Sequence, residues 1–204
     1  MTAVLSLVVA YLLGSIPFAC LIGRLRGVDI GAVGDRNVGA FNVFRHAGLT
    51  AGMGTLAADV GKGALAVIVA KALSGDPLVT FLAGGAVVAG HNWPVFLHFR
   101  GGQGAAAVVG VLLVLLPREM SISLILATTS LLLTRNSIYF GVLLFVPVPL
   151  LCWFLGEPRG LAVYSVTLPC IVGLTHWMRI RHLPLEARKE ARGFWVSSEA
   201  RHRQ

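Results

Sequence analysis

Seven apolar stretches alternate with short polar breaks along the 204 residues. They cover 3–22, 49–73, 78–97, 105–116, 120–133, 137–155 and 161–178. A helix needs about 20 apolar residues to cross the hydrocarbon layer of a membrane. The pattern therefore predicts an all-α polytopic membrane protein with seven transmembrane helices. The fourth and fifth stretches are short for a crossing, and the fourth is expected to recruit part of the 101–104 segment. Pro and Gly in the breaks at 74–77, 117–119 and 156–160 end helices, as does the Arg135-Asn136 pair between the fifth and sixth stretches. With no repeat and no low-complexity linker, the chain reads as one membrane domain over 1–204, a helical core at 1–178 followed by a basic tail at 179–204.

Composition and charge add an orientation. Hydrophobic residues make up 56% of the chain and mean hydropathy is +0.79, well above a soluble domain. Of the 17 Lys and Arg residues, those at 24, 26, 36, 45, 100, 135, 179, 181, 188, 189, 192, 201 and 203 fall on one side of a seven-helix arrangement. The positive-inside rule puts that side in the cytoplasm and the N-terminus outside. No basic stretch precedes the first apolar run, so a cleaved signal peptide is not expected. The net charge of +8 suits anionic lipid head groups. Nucleic acid is a poor fit, because the charges are scattered around spans without interleaved exposed aromatics. Cys20, Cys152 and Cys170 are isolated, and the six His residues make no metal-binding spacing, so neither a metal nor another cofactor is expected.

The chemistry-bearing residues sit in the polar segments of the cytoplasmic side. The first loop carries glycines at 31, 34 and 39, which permit sharp turns, with Asn37 and Asn42 as neutral hydrogen-bonding groups and Arg36 and Arg45 as forked donors suited to phosphate. An ordinary re-entrant loop meeting lipid phosphates explains that segment equally well. After the third stretch comes Arg100-Gly101-Gly102-Gln103-Gly104, a glycine turn opening a helix. Such a turn offers backbone N–H groups and the positive end of a helix dipole to an anion. His91 and Asn92 just before it read as helix caps or bridges. Asp59 and Lys62, three apart in the second stretch, share a helix face, and an intramembrane charge costs about 2.5–3.5 kcal/mol unless paired or functional. His176, at the inner end of the last stretch, reads equally as base, phosphate donor or interfacial anchor.

Together these residues form an ordered set: Gly14-Ser15-Ile16-Pro17-Phe18; Gly34-x-x-Asn37-x-Gly39-Ala40-x-Asn42-Val43-x-Arg45; Asp59-x-x-Lys62-Gly63; Gly90-His91-x-x-Pro94-Val95-Phe96; Gly101-Gly102-x-Gly104; Leu133-Thr134-Arg135; and His176. The set spans nearly the whole chain and resembles the bacterial acyl-phosphate:glycerol-3-phosphate acyltransferase family, PlsY. The resemblance implies a plasma-membrane enzyme with cytoplasmic active-site loops. Its reaction would move a fatty acyl group from acyl phosphate to the 1-hydroxyl of sn-glycerol 3-phosphate, giving lysophosphatidate without a metal or an acyl thioester.

On that resemblance Arg45, Asn37, Asn42, Gly101, Gly102, Gly104, Arg36, Gln103 and Arg179 are the expected phosphate-binding group. His176 and Asp35 are the candidate catalytic residues, with Asp59, Lys62, His91 and Arg135 in a second rank. The chain departs from the family pattern at five places. Asp35-Arg36 stands for Ser-Gly in the first loop, Gln103 for a Lys, Ile138 near an expected Ser, and Arg179 for an Asn, with His182 at a later Arg. These departures leave open a paralogue that binds lipid or another phosphorylated acceptor. A small transporter fits less well with charges gathered at one face.

Overall fold

The computed structural model describes residues 1–181. Among these, helices carry all the regular structure: α1 (Thr2–Ser15), α2 (Phe18–Leu25), α3 (Ala40–Ala47), α4 (Leu49–Ser74), α5 (Pro77–Asn92), α6 (Ala105–Leu115), α7 (Pro117–Thr134), α8 (Ser137–Phe145), α9 (Pro147–Leu155) and α10 (Arg159–Ile180). A single 3₁₀ turn, Val95–Leu97, follows α5. The basic tail residues Arg188, Lys189, Arg192, Arg201 and Arg203, together with His182, lie outside the described residues.

Proline accounts for the main differences from the apolar pattern. Pro17 has no N–H to give and splits the first stretch into α1 and α2, and Pro147 divides the sixth into α8 and α9. The third stretch stops at Asn92 because Trp93-Pro94 cannot continue the helix. The fourth does not recruit 101–104. Gly104, at φ +83°, stands as the residue before α6, which leaves a helix of 11 residues, about 16 Å long. Three stretches are long and apolar enough to cross a membrane by themselves: Thr2–Leu25, Ser137–Leu155 and Arg159–Arg179.

The packing is that of a protein whose solvent is apolar. Its core is dominated by Ala and Val, from Ala10, Ala66, Ala70 and Ala83 to Val67, Val87, Val108 and Val111. Large side chains such as Leu56, Leu65, Ile68, Leu82, Ile125, Leu150 and Val163 face outwards. Without a hydrophobic force between helices in lipid, close backbone approach does the joining, and small residues permit it. Gly14 and Gly90 let α1 lie on α5: a Cβ on either would strike a carbonyl, of Val87 or of Tyr11. Gly63 and Gly110 do the same for α4 on α6, against the carbonyls of Ala107 and Val60.

Gly63→Ala is therefore expected to lower the thermal unfolding midpoint in detergent by several degrees, for a cost of about 1–3 kcal/mol. Gly61→Ala, whose Cβ meets nothing, should leave it unchanged or raise it slightly through better helix propensity. A thermal-shift comparison of the two variants checks both.

Candidate functional site

The first loop folds around one asparagine. Asn42, 1% exposed on α3, donates from its amide nitrogen to the carbonyls of Ile30, Val33 and Asn37, each at 3.1 Å. Its nitrogen is thus committed to holding the loop, and only its buried carbonyl oxygen lacks a partner among the described residues. Gly34 lies at φ +58°, and a Cβ there would run into the Asn42 amide and the His46 ring, so the position suits glycine on both counts. The Asp35 carboxylate accepts from the Asn37 N–H at 3.0 Å, and its other oxygen lies 3.9 Å from the guanidinium of Arg45, whose side chain is buried. Asp35 thus serves as a turn acceptor and as counter-charge to Arg45. Arg36 is exposed, in the left-handed region at φ 55°.

The glycine turn is held by the end of α5. Gly101 N–H donates to the Asn92 carbonyl at 3.2 Å and Gly102 N–H to the His91 carbonyl at 3.1 Å. The expectation of free N–H groups along the whole turn is corrected here: those two are occupied by helix-end carbonyls that have no other donor. The N–H groups of the first turn of α6, at Ala105–Ala107, remain, with the positive end of the helix dipole behind them. Asn92 went unnoticed as a site residue in the sequence. Its side-chain amide is buried without a partner among the described residues, and its oxygen lies where a Cβ on Gly104 would collide with it. Nothing in the local sequence separated it from an ordinary helix cap.

The carboxyl end of α10 closes the arrangement. Arg179 donates from one nitrogen to the Arg36 carbonyl at 3.1 Å and from the other to the Gly101 carbonyl, joining the first loop to the glycine turn. His176 Nδ1 lies 2.9 Å from the Gln103 side-chain oxygen, and the Thr175 hydroxyl reaches the Gln103 carbonyl at 3.3 Å. The Asp35 charge acts on both His176 and Arg179. Asp35, Arg36, Asn37, Asn42, Arg45, Gly101, Gly102, Gln103, Gly104, His176 and Arg179 are therefore brought to one place from three distant parts of the chain.

The second-rank residues divide. Asp59, Lys62 and His91 lie behind the glycine turn, with Lys62 Nζ 2.8 Å and His91 Nδ1 3.6 Å from Asp59 Oδ1. Arg135 follows α7 at φ 54° as its C-cap and is exposed. The Phe41–Phe140 ring contact, 5.6 Å between centroids, brings α8 against α3 beside the loop.

The sequence profile of the family described as glycerol-3-phosphate acyltransferase matches residues 4–185. The chain belongs to the glycerol-3-phosphate acyltransferase family. Glycerol-3-phosphate acyltransferase 4 of Dehalococcoides mccartyi is 39% identical over 183 residues, covering 87% of this chain and 96% of its own length. The glycerol-3-phosphate acyltransferase of Thermoanaerobacter sp. strain X514 is 38% identical over 188 residues, 90% and 92% of the two chains. The crystal structure of PlsY (YgiH), an integral membrane glycerol 3-phosphate acyltransferase, in its glycerol 3-phosphate form superposes with a TM-score of 0.83 at 30% identity over the full length of both chains. Its lysophosphatidic acid form gives 0.80 at 31% identity, covering 94% of this chain and 95% of that one. The protein is thus a membrane glycerol-3-phosphate acyltransferase by family.

Removing the Asn42 amide leaves three carbonyls of the acyltransferase loop without their donor, worth about 1–3 kcal/mol of local stability. Asn42→Ala is expected to speed tryptic cleavage after Arg36 roughly tenfold or more in the otherwise folded protein. Mass spectrometry of the timed digest reads the rate.

Proposed function

We propose that the protein transfers a fatty acyl group from acyl phosphate to the 1-hydroxyl of sn-glycerol 3-phosphate, producing lysophosphatidate for phospholipid synthesis. The observation that carries this reading is the convergence of Arg36, Arg45, Arg179 and the amino end of α6 beside His176. Two phosphorylated substrates require cations and N–H groups in one pocket, and a greasy tail requires an apolar flank. The outward-facing Leu and Ile residues of the helices provide that flank. The site lies on the cytoplasmic face of the bacterial plasma membrane. The chain crosses seven times, along α1–α2, α4, α5, α6, α7, α8–α9 and α10, with its N-terminus outside.

Acyl phosphate is already an activated donor, so orientation and charge stabilisation supply most of the catalysis. The glycerol C1 oxygen attacks the acyl carbonyl carbon and forms the ester bond. The bond from that carbon to the phosphate oxygen then breaks, and inorganic phosphate leaves with the electron pair. With His176 Nδ1–H donating to the Gln103 oxygen, Nε2 carries the lone pair and takes the hydroxyl proton. Arg45 and Arg179 hold the acceptor's phosphate, and the α6 amino end stabilises the negative charge developing at the acyl carbonyl or on the departing phosphate.

The assay is direct: purified protein, palmitoyl phosphate and labelled glycerol 3-phosphate, with lysophosphatidate as the product. His176→Ala is expected to lower kcat by about 10²–10⁴, the usual contribution of a general base. Absence of lysophosphatidate with folded wild-type protein would remove the proposal.

Asp35 favours a second reading, because a carboxylate in the anion cradle suits an acceptor other than a simple phosphate monoester. Under the first reading Asp35 is needed to hold Arg45 in place. Asp35→Asn should then reduce kcat/KM for glycerol 3-phosphate about tenfold or more. A gain in activity in that variant supports the altered-acceptor reading instead.

A further inference from the structure

Asp59, Lys62 and His91 form a buried charged network inside the helix bundle, at 2%, 5% and 7% exposure. The acyl-transfer step described above uses none of the three. Their contacts run in two directions. Lys62 Nζ donates to Asp59 and, at 3.1 Å, to the Ile16 carbonyl at the break between α1 and α2, and it stands 5.8 Å from the centre of the Phe18 ring just beyond that break. A cation placed there satisfies a helix-end carbonyl beside Pro17. On the other side Asp59 faces the His91 ring. That ring presses on the glycine turn: a Cβ on Gly102 would collide with His91 Nε2, while the His91 main chain accepts the Gly102 N–H. The cavity lined in part by Asp59, Lys62, His91, Gly101 and Gly102 has a volume of about 10 Å³. That is room for roughly one water molecule and far too little for a three-carbon phosphate.

Resting on the reading of 101–104 as part of the phosphate site, we propose that Asp59, Lys62 and His91 are positioning residues. They lock the α1–α2 break to the carboxyl end of α5 and thereby set where the glycine turn and the amino end of α6 present themselves to the phosphate of glycerol 3-phosphate. The charges are matched within the network, one carboxylate to one ammonium, so it adds no net charge to the pocket. Its effect is geometric, and it falls on the phosphorylated acceptor rather than on the acyl tail.

The test uses the double variant Asp59→Asn/Lys62→Met, which removes both charges together and leaves no unpaired ion in the bundle, and His91→Gln as a second variant should the first not fold. Each is purified in detergent and read by three measurements: thermal midpoint, KM for each substrate, and hydrogen exchange of the peptide covering 98–106. The proposal expects the Gly101 and Gly102 amides to exchange at least about tenfold faster. It also expects KM for glycerol 3-phosphate to rise tenfold or more while KM for acyl phosphate stays within twofold. Unchanged exchange and unchanged acceptor KM in a folded variant would overturn it, leaving a purely structural ion pair. So would a parallel rise in both KM values with a general fall in thermal midpoint. The exchange measurement does not depend on turnover, so an inactive wild-type protein would defeat the proposed reaction while this arm still decides the positioning role.

Discussion

A helix that stops inside a bundle leaves its last carbonyls without donors, and in an apolar medium water does not make up the loss. That constraint governs the site. α5 ends at Asn92 because Trp93-Pro94 cannot extend it, and the carbonyls of His91 and Asn92 then need partners. Gly102 and Gly101 supply them. Only glycine can do so here, because a Cβ at either position would strike His91 or neighbouring atoms of the α5 end. Once the chain has doubled back to make those bonds, Gly104 must turn at φ +83° to start α6. The amino end of α6 is thereby delivered beside the first loop. The anion-facing end of a short helix is a consequence of satisfying a neighbouring helix's carbonyls.

The cations around this turn each hold structure as well as charge. Arg179 spends both terminal nitrogens on main-chain carbonyls, of Arg36 and Gly101, so it neutralises nothing in doing so and keeps its full positive charge beside the pocket. Arg45 is handled in the opposite way, its side chain buried with Asp35 as counter-charge. The pocket therefore combines a cation anchored by neutral dipoles with one balanced by a carboxylate. In the proposed reaction a dianionic phosphate meets the first at full strength and competes with Asp35 for the second.

The helical class and several breaks were legible in the sequence, since Pro77, Pro117 and Gly156 punctuate an apolar pattern, whereas Pro17, Pro94 and Pro147 fell inside stretches read as continuous. The residues that the structure gathers around the glycine turn were also visible as an ordered set of Gly, Asn, Arg and His. What each does was not. Asn42 looks like a ligand and is a staple, because its three acceptors come from residues 5 to 12 positions upstream through a loop whose path no periodicity describes. The glycines of 101–104 looked like open N–H donors, and two are already bonded, since the demand for them comes from the end of a different helix. Arg179 was expected from the sequence to bind phosphate, and its structural role was not legible there. Its reach to residues 143 and 78 positions away is a product of tertiary packing alone.

The identity of residue 103 bears on the tautomer of His176. A lysine ammonium can only donate, so beside an imidazole it would face a ring nitrogen bearing a lone pair and would disfavour protonation of that ring. The Gln103 oxygen accepts, which turns Nδ1–H of His176 towards it and frees Nε2. Position 103 therefore orients the His176 ring and adds no positive charge to the turn. Arg179, about one helical turn beyond His176, brings a cation to the same turn through the Gly101 carbonyl. Gln103 and Arg179 thus divide the work at the turn: one orients the His176 ring, and the other brings positive charge to it.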